Sequence, residues 1–371
     1  MKVYDVIIIG GGLAGLTSAI DLSSSGLEVM VIEKEDYPKH KVCGEYVSNE
    51  ILPYFSRLGV DISKTNPDPI HRLLLSNRSG NAVDVELPLG GFGISRYTLD
   101  EFLYKKAKSN GVEFKIQTVT EISFENQKFH IKTSQEEFCS ELAIGSFGKR
   151  SGLDKKLNRS FIHNKTPWIG IKAHYANGNY PNGEVQLHNF EGGYCGLSKT
   201  ETGAVNFCYL AHYNSFKKEG SVEKFNQNVL TQNPKLKSFL KNSELLFDRH
   251  LAISQVSFQD KTAVENHMLM AGDSAGLIHP LCGNGMAMAI HSAKMLSEEI
   301  KDYTTHKNRN QLEENYTQIW KKTFRKRLIF GSVFQTILLQ PKLTNLGMLA
   351  VSKSPYLLKK MIQQTHGQPI S

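Results

Sequence analysis

A glycine-rich turn near the amino terminus constrains the fold of this chain more than any other feature. Residues 4–9 form a largely apolar run, Gly10-Gly11-Gly12-Leu13-Ala14-Gly15 follows, and a helical pattern extends over residues 13–25. A second apolar run over residues 27–32 ends at Glu33. Apolar runs without alternation are typical of parallel strands that are buried on both faces. The chain is therefore predicted to begin with a strand, a tight turn, a helix and a second, parallel strand.

The spacing of the glycines and of Glu33 indicates what this unit binds. Gly10 would allow the tight turn, Gly12 would let a pyrophosphate approach the backbone, and Gly15 would let the helix pack closely. Amide groups at the start of the helix favour phosphate charge. Glu33 lies 18 residues after Gly15, where a carboxylate can accept hydrogen bonds from ribose hydroxyls. The pattern predicts a dinucleotide site, and we expect the neighbouring residues Ala14 and Lys34 to contact the cofactor as well. The alternative is a glycine turn that binds nothing.

A second glycine-rich segment follows a predicted strand late in the chain. It reads Ala271-Gly272-Asp273-Ser274-Ala275-Gly276, then His279-Pro280, then Gly283-Asn284-Gly285 at the start of a helical pattern over residues 283–300. This segment resembles the second flavin signature of the p-hydroxybenzoate hydroxylase superfamily, particularly its geranylgeranyl reductase branch. The resemblance implies FAD as the cofactor, with Asp273 at its ribityl or pyrophosphate portion and Pro280 beside the isoalloxazine. It also implies cofactor contacts from Gly272, Gly283, Asn284, Gly285 and Met286.

The positive end of the predicted helix gives this segment a physical role. A helix that begins near Gly283 could stabilise the negative charge of reduced flavin. The alternative is a glycine-rich loop that only caps the helix.

Two shorter matches extend the resemblance. Arg96-Tyr97-Thr98-Leu99-Asp100 is similar to the family's Arg-x-x-Leu/Phe-Asp segment, which implies that Arg96 reaches the flavin. The alternative is an ordinary helix start with an exposed arginine. Val119 falls where the family has a strand residue near the adenine, and the alternative for it is a core valine.

Lys41-Val42-Cys43-Gly44-Glu45 is similar to a Cys-Gly element that faces the flavin in geranylgeranyl reductase relatives. The resemblance places Lys41, Cys43 and Gly44 at the cofactor and makes Cys43 the first candidate catalytic residue. Its thiol would shape the pocket or donate a proton after hydride transfer; the alternative is a small buried cysteine. His279 is the second catalytic candidate, as a residue that orients the substrate, and the alternative for it is a structural role.

The sequence departs from the family pattern at two positions. Phe147 stands where the superfamily usually has an aspartate that is associated with flavin and pyridine-nucleotide contacts. This makes NADPH a doubtful direct electron donor and introduces an electron-donor protein as a partner. Gly196 replaces a tryptophan of the reductase branch, which predicts a roomier pocket.

Strand patterns between the two glycine-rich segments complete the predicted fold. Residues 169–175, 184–190, 193–198 and 204–210 alternate in character between turns, which predicts an antiparallel sheet beneath a substrate pocket. The fold class is α/β, with a Rossmann-like FAD-binding domain interleaved with an antiparallel substrate domain, plus C-terminal helices. The predicted ranges are 1–69, 96–165 and 250–302 for the FAD-binding domain, 70–95 and 166–249 for the substrate domain, and 303–371 for the helical region.

Charge and cysteine content narrow the partners and the location. The net charge is +8, no nucleic-acid motif is recognised, and a basic cluster occupies residues 321–327. We expect no nucleic-acid partner and consider peripheral contact with an anionic membrane, against the alternative of a solvated helix face. The longest apolar stretch, residues 328–339, is too short to cross a bilayer. The five cysteines form no CxxC pair, which predicts no metal site and a reducing cytoplasmic location, including the inner face of a membrane.

Three functions remain open from the sequence. The first is reduction of an alkene in a prenyl or other hydrophobic, lipid-like substrate by hydride transfer from reduced flavin. The second is oxygen-dependent hydroxylation of a phenolic or alkyl-aromatic substrate; the proton donor that alkene reduction needs makes Cys43 favour the first. A halogenase is disfavoured because the Trp-x-Trp-x-Ile-Pro element is missing: Trp168 is followed by Ile169-Gly170-Ile171. The third function is a flavin-binding protein with little catalysis.

Overall fold

The structure is a computed structural model that describes residues 2–277, 283–353, 360, 362, 363 and 367–371, apart from the side chains of 341, 342 and 351–353. Strands and helices are numbered in chain order and divide between two sheets and the helices around them.

The first sheet contains the predicted βαβ unit. Its parallel strands run side by side in the order β17, β9, β1, β2 and β6, and β16 pairs antiparallel with β17 at one edge. The antiparallel strands β7 and β8 attach through β9. The strands are β1 (Val3–Ile9), β2 (Val29–Glu33), β6 (Glu113–Ile116), β7 (Val119–Glu125), β8 (Lys128–Thr133), β9 (Glu137–Gly145), β16 (Val264–Glu265) and β17 (Met268–Met270).

The second sheet is mostly antiparallel and lies in the middle of the chain. Its order is β14, β10, β13, β12, β11, β4, β5 and β3, with β15 also paired to β10. Only β4 and β11 pair in parallel among the described strands of this sheet. The strands are β3 (Tyr46–Ser48), β4 (Asp68–Ser76), β5 (Ala82–Gly93), β10 (Trp168–Ala176), β11 (Glu184–Phe190), β12 (Gly193–Lys199), β13 (Val205–His212), β14 (Glu244–Leu245) and β15 (Leu251–Ser254).

Helices cover the first sheet and the outer side of the second. The buried faces of α1, α3 and α8 pack beside the parallel strands, and α9 follows along α8. The helices are α1 (Leu13–Ser24), α2 (Leu52–Arg57), α3 (Arg96–Ser109), α4 (Gly152–Lys156), α5 (Tyr213–Glu219), α6 (Val222–Asn228), α7 (Pro234–Lys241), α8 (Gly285–His306), α9 (Arg309–Leu339) and α10 (Pro341–Lys353). Within the described residues, no helix combines the length and the apolar character that a bilayer span requires.

The α/β fold with two sheets and C-terminal helices is the predicted one, but two strands fall outside the ranges predicted for their sheet. β3 and β15 lie within 1–69 and 250–302, yet they pair with β5 and β10 of the second sheet. Each has only three or four residues, which is too short for an alternating pattern to reveal which sheet it joins. The chain therefore crosses between the sheets directly after Cys43, so that Cys43 lies at the boundary of the two sheets.

Candidate functional site

The first glycine turn has the shape that its sequence predicts. Gly10 adopts a φ of +105°, and a Cβ there would lie 2.4 Å from the Ser146 backbone oxygen. A Cβ on Gly15 would lie 2.1 Å from the Gly10 oxygen. At Gly12, by contrast, the nearest atom to such a Cβ is Arg96 Nη2, at 3.7 Å. Gly10 and Gly15 are thus required by packing, whereas Gly12 leaves open space beside the backbone.

That open space lies at the start of α1, where backbone amides are available. No side chain caps this helix, and its first turn holds no acidic residue. Unpaired amides at a helix N-terminus attract anions such as phosphate. The loop therefore fits a pyrophosphate.

Glu33 lies beside this turn at the end of β2. Its Oε2 accepts a 2.7 Å hydrogen bond from the Gly11 amide, and Lys39 Nζ lies 2.9 Å from its Oε1. Burial opposes ionisation of Glu33, but the charges of Lys41 and Lys39 lower its pKa below the usual value. A buried carboxylate that stays ionised beside the turn is suited to accept hydrogen bonds from a ribose.

The two glycine-rich segments meet in space. Gly272 has a φ of +60°, and a Cβ on it would lie 3.0 Å from the Ala14 Cβ. It belongs to a short 3-10 turn, Gly272–Ser274, that leads from β17 towards α8. Lys261 Nζ donates a 2.7 Å hydrogen bond to the Asp273 backbone oxygen. The second segment thus packs against the first turn of α1, as one shared cofactor site requires.

Arg96 joins this site from α3. Its guanidinium forms a bidentate pair with Asp100 at 2.7 Å, and Lys41 Nζ lies 2.8 Å from the same carboxylate. Burial opposes ionisation of Asp100, but the charges of Arg96 and Lys41 lower its pKa. Arg96 also interacts with the Cys43 side chain. Arg96 therefore connects the open space at Gly12 to the candidate catalytic cysteine.

The segment that carries Cys43 is held by four side chains from elsewhere in the fold. The carbonyl oxygens of residues 41–44 accept hydrogen bonds in turn, at 3.0–3.2 Å, from Lys172 Nζ, Lys149 Nζ, Asn206 Nδ2 and Ser198 Oγ. Three of these donors belong to β10, β13 and β12. Cys43 itself is half-buried. Three strands of the second sheet and the loop after β9 thus fix the backbone of residues 41–44, which we call the clamped segment.

Glu45, which directly follows the clamped segment, belongs to a buried charged cluster. Its backbone is left-handed, with a φ of +53°, and its carboxylate is fully buried. Lys172 Nζ contacts Oε1, His174 Nε2 lies 2.6 Å from Oε2, and the Arg96 amide donates to Oε1 at 2.7 Å. Although burial opposes ionisation, the charges of Lys172 and His174 lower the pKa of Glu45. The strained backbone is therefore stabilised by a fully partnered ion cluster.

His40 lies next to this cluster, so that His40, Glu45 and His174 bring potential metal-ligand atoms within 4.8 Å of one another. Burial and the Lys172 charge lower the pKa of His40 to about 4, which keeps its imidazole neutral. Lys172 already neutralises Glu45, and Lys41 and Arg96 add positive charge nearby. We therefore interpret the group as an ion-pair cluster.

The remaining predicted residues divide by location. Met286 and Gly285 lie in the first turn of α8, and Asn284 Nδ2 lies 3.4 Å from both carboxylate oxygens of the buried Glu50. Gly283 adopts a φ of +62° beside Tyr46. The Gly44 oxygen is part of the clamped segment. His279 and Pro280 lie outside the described residues.

Two predicted positions stand apart from the glycine turns. The Lys34 side chain is 66% exposed and pairs with Glu35 at 3.8 Å. Val119 is buried in the core at the start of β7, where it pairs with Thr133 of β8. Both remain predictions as cofactor contacts.

Sequence reasoning missed the charged cluster. Lys172 and His174 alternate along β10 with Ile171 and Ala173, which pack into the core of the second sheet. Two ionisable residues on the opposite face of such a strand signal a buried polar site, because buried charges require partners. The partner, Glu45, lies 127 residues from Lys172 in sequence, so that no local pattern links them.

Fold and site together define a dinucleotide-binding oxidoreductase whose cofactor loop, acidic strand end and second glycine segment fit FAD. The chain belongs to the FAD binding domain family, which matches residues 3–327. FAD is accordingly its cofactor, and the protein is an FAD-dependent oxidoreductase.

Similar proteins carry out different reactions. A digeranylgeranylglycerophospholipid reductase of Methanosarcina acetivorans is 24% identical over 342 residues, which cover 86% of this chain and 81% of that protein. An uncharacterised protein of Methanosarcina barkeri is 34% identical over 166 residues, but this match spans only 43% of this chain and 41% of the relative. The flavin-dependent brominase Bmp2 superposes with a TM-score of 0.80 at 18% identity, covering 98% of this chain and 93% of the brominase, which shows a shared fold.

Proposed function

We propose that the protein reduces a carbon–carbon double bond in a prenyl or other hydrophobic, lipid-like substrate. Bound reduced FAD supplies the hydride, and a protein group must deliver a proton to the other carbon of the double bond. In this proposal the two glycine-rich segments bind the FAD, and the clamped segment positions the proton donor.

The observation that carries this proposal is the position of Cys43. Its thiol interacts with Arg96, which faces the open space at Gly12, while Lys172 and Asn206 of the second sheet hold the Lys41 and Cys43 carbonyl oxygens. A donor that is fixed in this way loses little entropy when a substrate arrives, and fixed geometry favours proton transfer. The likeness to a prenyl-lipid reductase over most of the chain supports the same reaction class.

An apolar cluster supports a hydrophobic substrate. Between the second sheet and α9, the buried side chains of Tyr194, Leu210, Val256, Leu277 and Leu338 pack together. Half-buried aromatic residues, Trp168, Phe258 and Phe334, border this cluster. We propose that the half-buried residues bordering this cluster contact the substrate, since apolar and aromatic side chains suit an alkyl or prenyl chain better than a polar metabolite.

The residue at position 147, in the loop after β9, supports a proposal for the electron source. Phe147 replaces the family's aspartate and packs partly buried against the core of the first sheet. We propose that an electron-donor protein, rather than NADPH, reduces the bound FAD. NADPH alone should then fail to reduce the bound FAD under anaerobic conditions, as flavin absorbance would show.

The proposal is tested by substituting single thiols. Cys43→Ser keeps the size of the side chain but raises its pKa far above that of a thiol, so that proton donation becomes poorer. We expect unchanged FAD content and about 100-fold slower reoxidation of photoreduced enzyme by a prenyl lipid, since general acid catalysis contributes about that factor. Cys208→Ser, on the neighbouring strand β13, is the matched control and should retain the wild-type rate.

The alternative is oxygen-dependent hydroxylation, for which the supporting observation is a fold shared with a probable FAD-dependent monooxygenase of Pseudomonas aeruginosa. If Cys43→Ser reoxidises at the wild-type rate with the lipid, the thiol is not the proton donor. If a phenol instead gains an oxygen atom from labelled O2, the enzyme is a monooxygenase.

A further inference from the structure

Positive charge in this protein is concentrated at one end of the chain. Residues 315–371 contain nine Lys and Arg and no Asp or Glu. Subtracting these nine from the total of 44 leaves 35 basic residues against all 36 acidic ones in residues 1–314. The net charge of +8 therefore arises wholly from the segment that begins within α9.

The outer side of α9 presents part of this charge next to apolar side chains. Lys322, Lys326, Ile329 and Val333 are spaced three or four residues apart, so that they lie on one side of the helix, with Arg325 adjacent. All five are exposed, and Ile329 and Val333 each remain 54% accessible. No carboxylate of the described chain lies within ion-pair distance of Lys322, Arg325 or Lys326.

The following helix adds further exposed apolar residues. On α10, Leu346 is 64% exposed and Leu349 is 53% exposed. We call Lys322, Arg325, Lys326, Ile329 and Val333 of α9 the basic–apolar face; Leu346 and Leu349 lie on the helix that follows it.

The opposite sides of both helices are attached to the body of the protein. Trp320 and Phe324 of α9 pack into the core of the first sheet, and Met348 of α10 packs beside β4 and β5. The corner between the helices is fixed by polar contacts as well: Asn189 Nδ2 donates to the Leu338 oxygen at 2.6 Å, and Asn77 Nδ2 donates to Asn345 at 3.0 Å. The helices are thus anchored through one side while the basic–apolar face is directed to solvent.

We propose that the basic–apolar face docks on an anionic membrane surface. Apolar side chains bordered by Lys and Arg are suited to enter the headgroup region while the cations meet lipid phosphates. A second copy of the chain is a poor partner, since two such faces would repel each other. A nucleic acid would engage the cations but would leave the four exposed aliphatic side chains in water.

The expected effect can be estimated from the cations. Each Lys or Arg near an anionic surface contributes about 1 kcal/mol, or about fivefold in binding. Removing three would therefore lower vesicle affinity by about 100-fold at low salt. The inference is independent of the reaction, because vesicle binding requires no turnover.

The test is sedimentation of the FAD-loaded protein with phosphatidylcholine vesicles that either contain or lack phosphatidylglycerol. The test variant is Lys322→Gln/Arg325→Gln/Lys326→Gln. The control, Lys217→Gln/Lys218→Gln/Lys237→Gln, removes the same charge from exposed positions on α5 and α7. Ile329→Ser/Val333→Ser/Leu346→Ser tests the apolar part.

Wild type and control should bind anionic vesicles only, with affinity that falls as salt rises. The test variant should lose about 100-fold, and the serine variant should also bind more weakly while keeping its FAD. Equal binding of wild type to neutral and anionic vesicles, no binding to either, or an equal loss in the control would overturn the proposal. So would tighter binding of duplex DNA than of anionic vesicles in the same buffer.

Discussion

Replacing Lys172 by methionine tests whether the buried cluster at Glu45 holds the clamped segment in place. The Glu45 carboxylate is fully buried, and the Lys172 ammonium, itself fully buried, is its main counter-charge. Methionine keeps the length of the side chain but leaves this carboxylate with His174 and the Arg96 amide alone. Breaking a buried ion pair from one side costs about 3–5 kcal/mol. Because two donors remain, we expect a loss of about 3 kcal/mol in the free energy of unfolding.

Urea unfolding of the FAD-loaded protein, followed by far-UV circular dichroism, measures this loss. The double variant Glu45→Gln/Lys172→Met should be more stable than Lys172→Met, because it removes the isolated charge. If Lys172→Met unfolds within about 1 kcal/mol of wild type, or if the double variant is the less stable of the two, the cluster does not stabilise the fold as described.

The same substitution should change the pH dependence of stability. In the wild type the folded pKa of Glu45 is lowered, so that its contribution is present above the unfolded pKa of about 4.3 and is lost as the pH falls through the folded pKa. Without Lys172, burial dominates and raises the folded pKa of Glu45, so that protonation should relieve the isolated charge and the stability deficit of Lys172→Met relative to the wild type should shrink as the pH falls.

Three further predictions concern the cofactor site. Glu33→Ala should weaken FAD binding by about 10- to 100-fold, the value of a charge-assisted hydrogen bond, whereas Glu35→Ala should not; equal flavin affinity in both variants would refute the role of Glu33. Gly15→Ala places a Cβ 2.1 Å from a backbone oxygen and should cost about 1–3 kcal/mol of stability, which thermal unfolding would measure. Gly12→Ala has open space around its Cβ, so the apoprotein should keep its stability but lose FAD, which flavin absorbance would show. Burial lowers the pKa of Lys261 to about 8, so that the unfolded chain binds more protons than the folded one between this pH and about 10.4. The free energy of unfolding should therefore rise with pH in this range, and Lys261→Met should lack the rise.

Much of the fold could be predicted because its strongest elements carry local signals. The first βαβ unit follows from an apolar run, a glycine turn and Glu33, and the strands β10–β13 follow from alternation. The parallel pairing of β4 with β11 could not be predicted, because it joins strands more than a hundred residues apart. Register between distant strands depends on packing that no single segment encodes.

The candidate site shows the same division. The glycine positions are local and were predictable, including the different demands at Gly10 and Gly12. The donors that hold the clamped segment come from separate strands and a loop, and their hydrogen bonds to carbonyl oxygens leave no sequence pattern. Lys172 carried a partial signal, a cation in an otherwise apolar strand, but its partner could be identified only in three dimensions.

The most direct test of the central claim is the reoxidation of anaerobically photoreduced enzyme. Flavin absorbance would be followed after mixing with a prenyl lipid or with oxygen plus a candidate phenol, and the products would be analysed by mass. The account predicts that the lipid alone reoxidises the flavin without oxygen and gains two mass units for each turnover, the mass of H2. Reoxidation that requires oxygen, with labelled oxygen incorporated into the phenol, would contradict it.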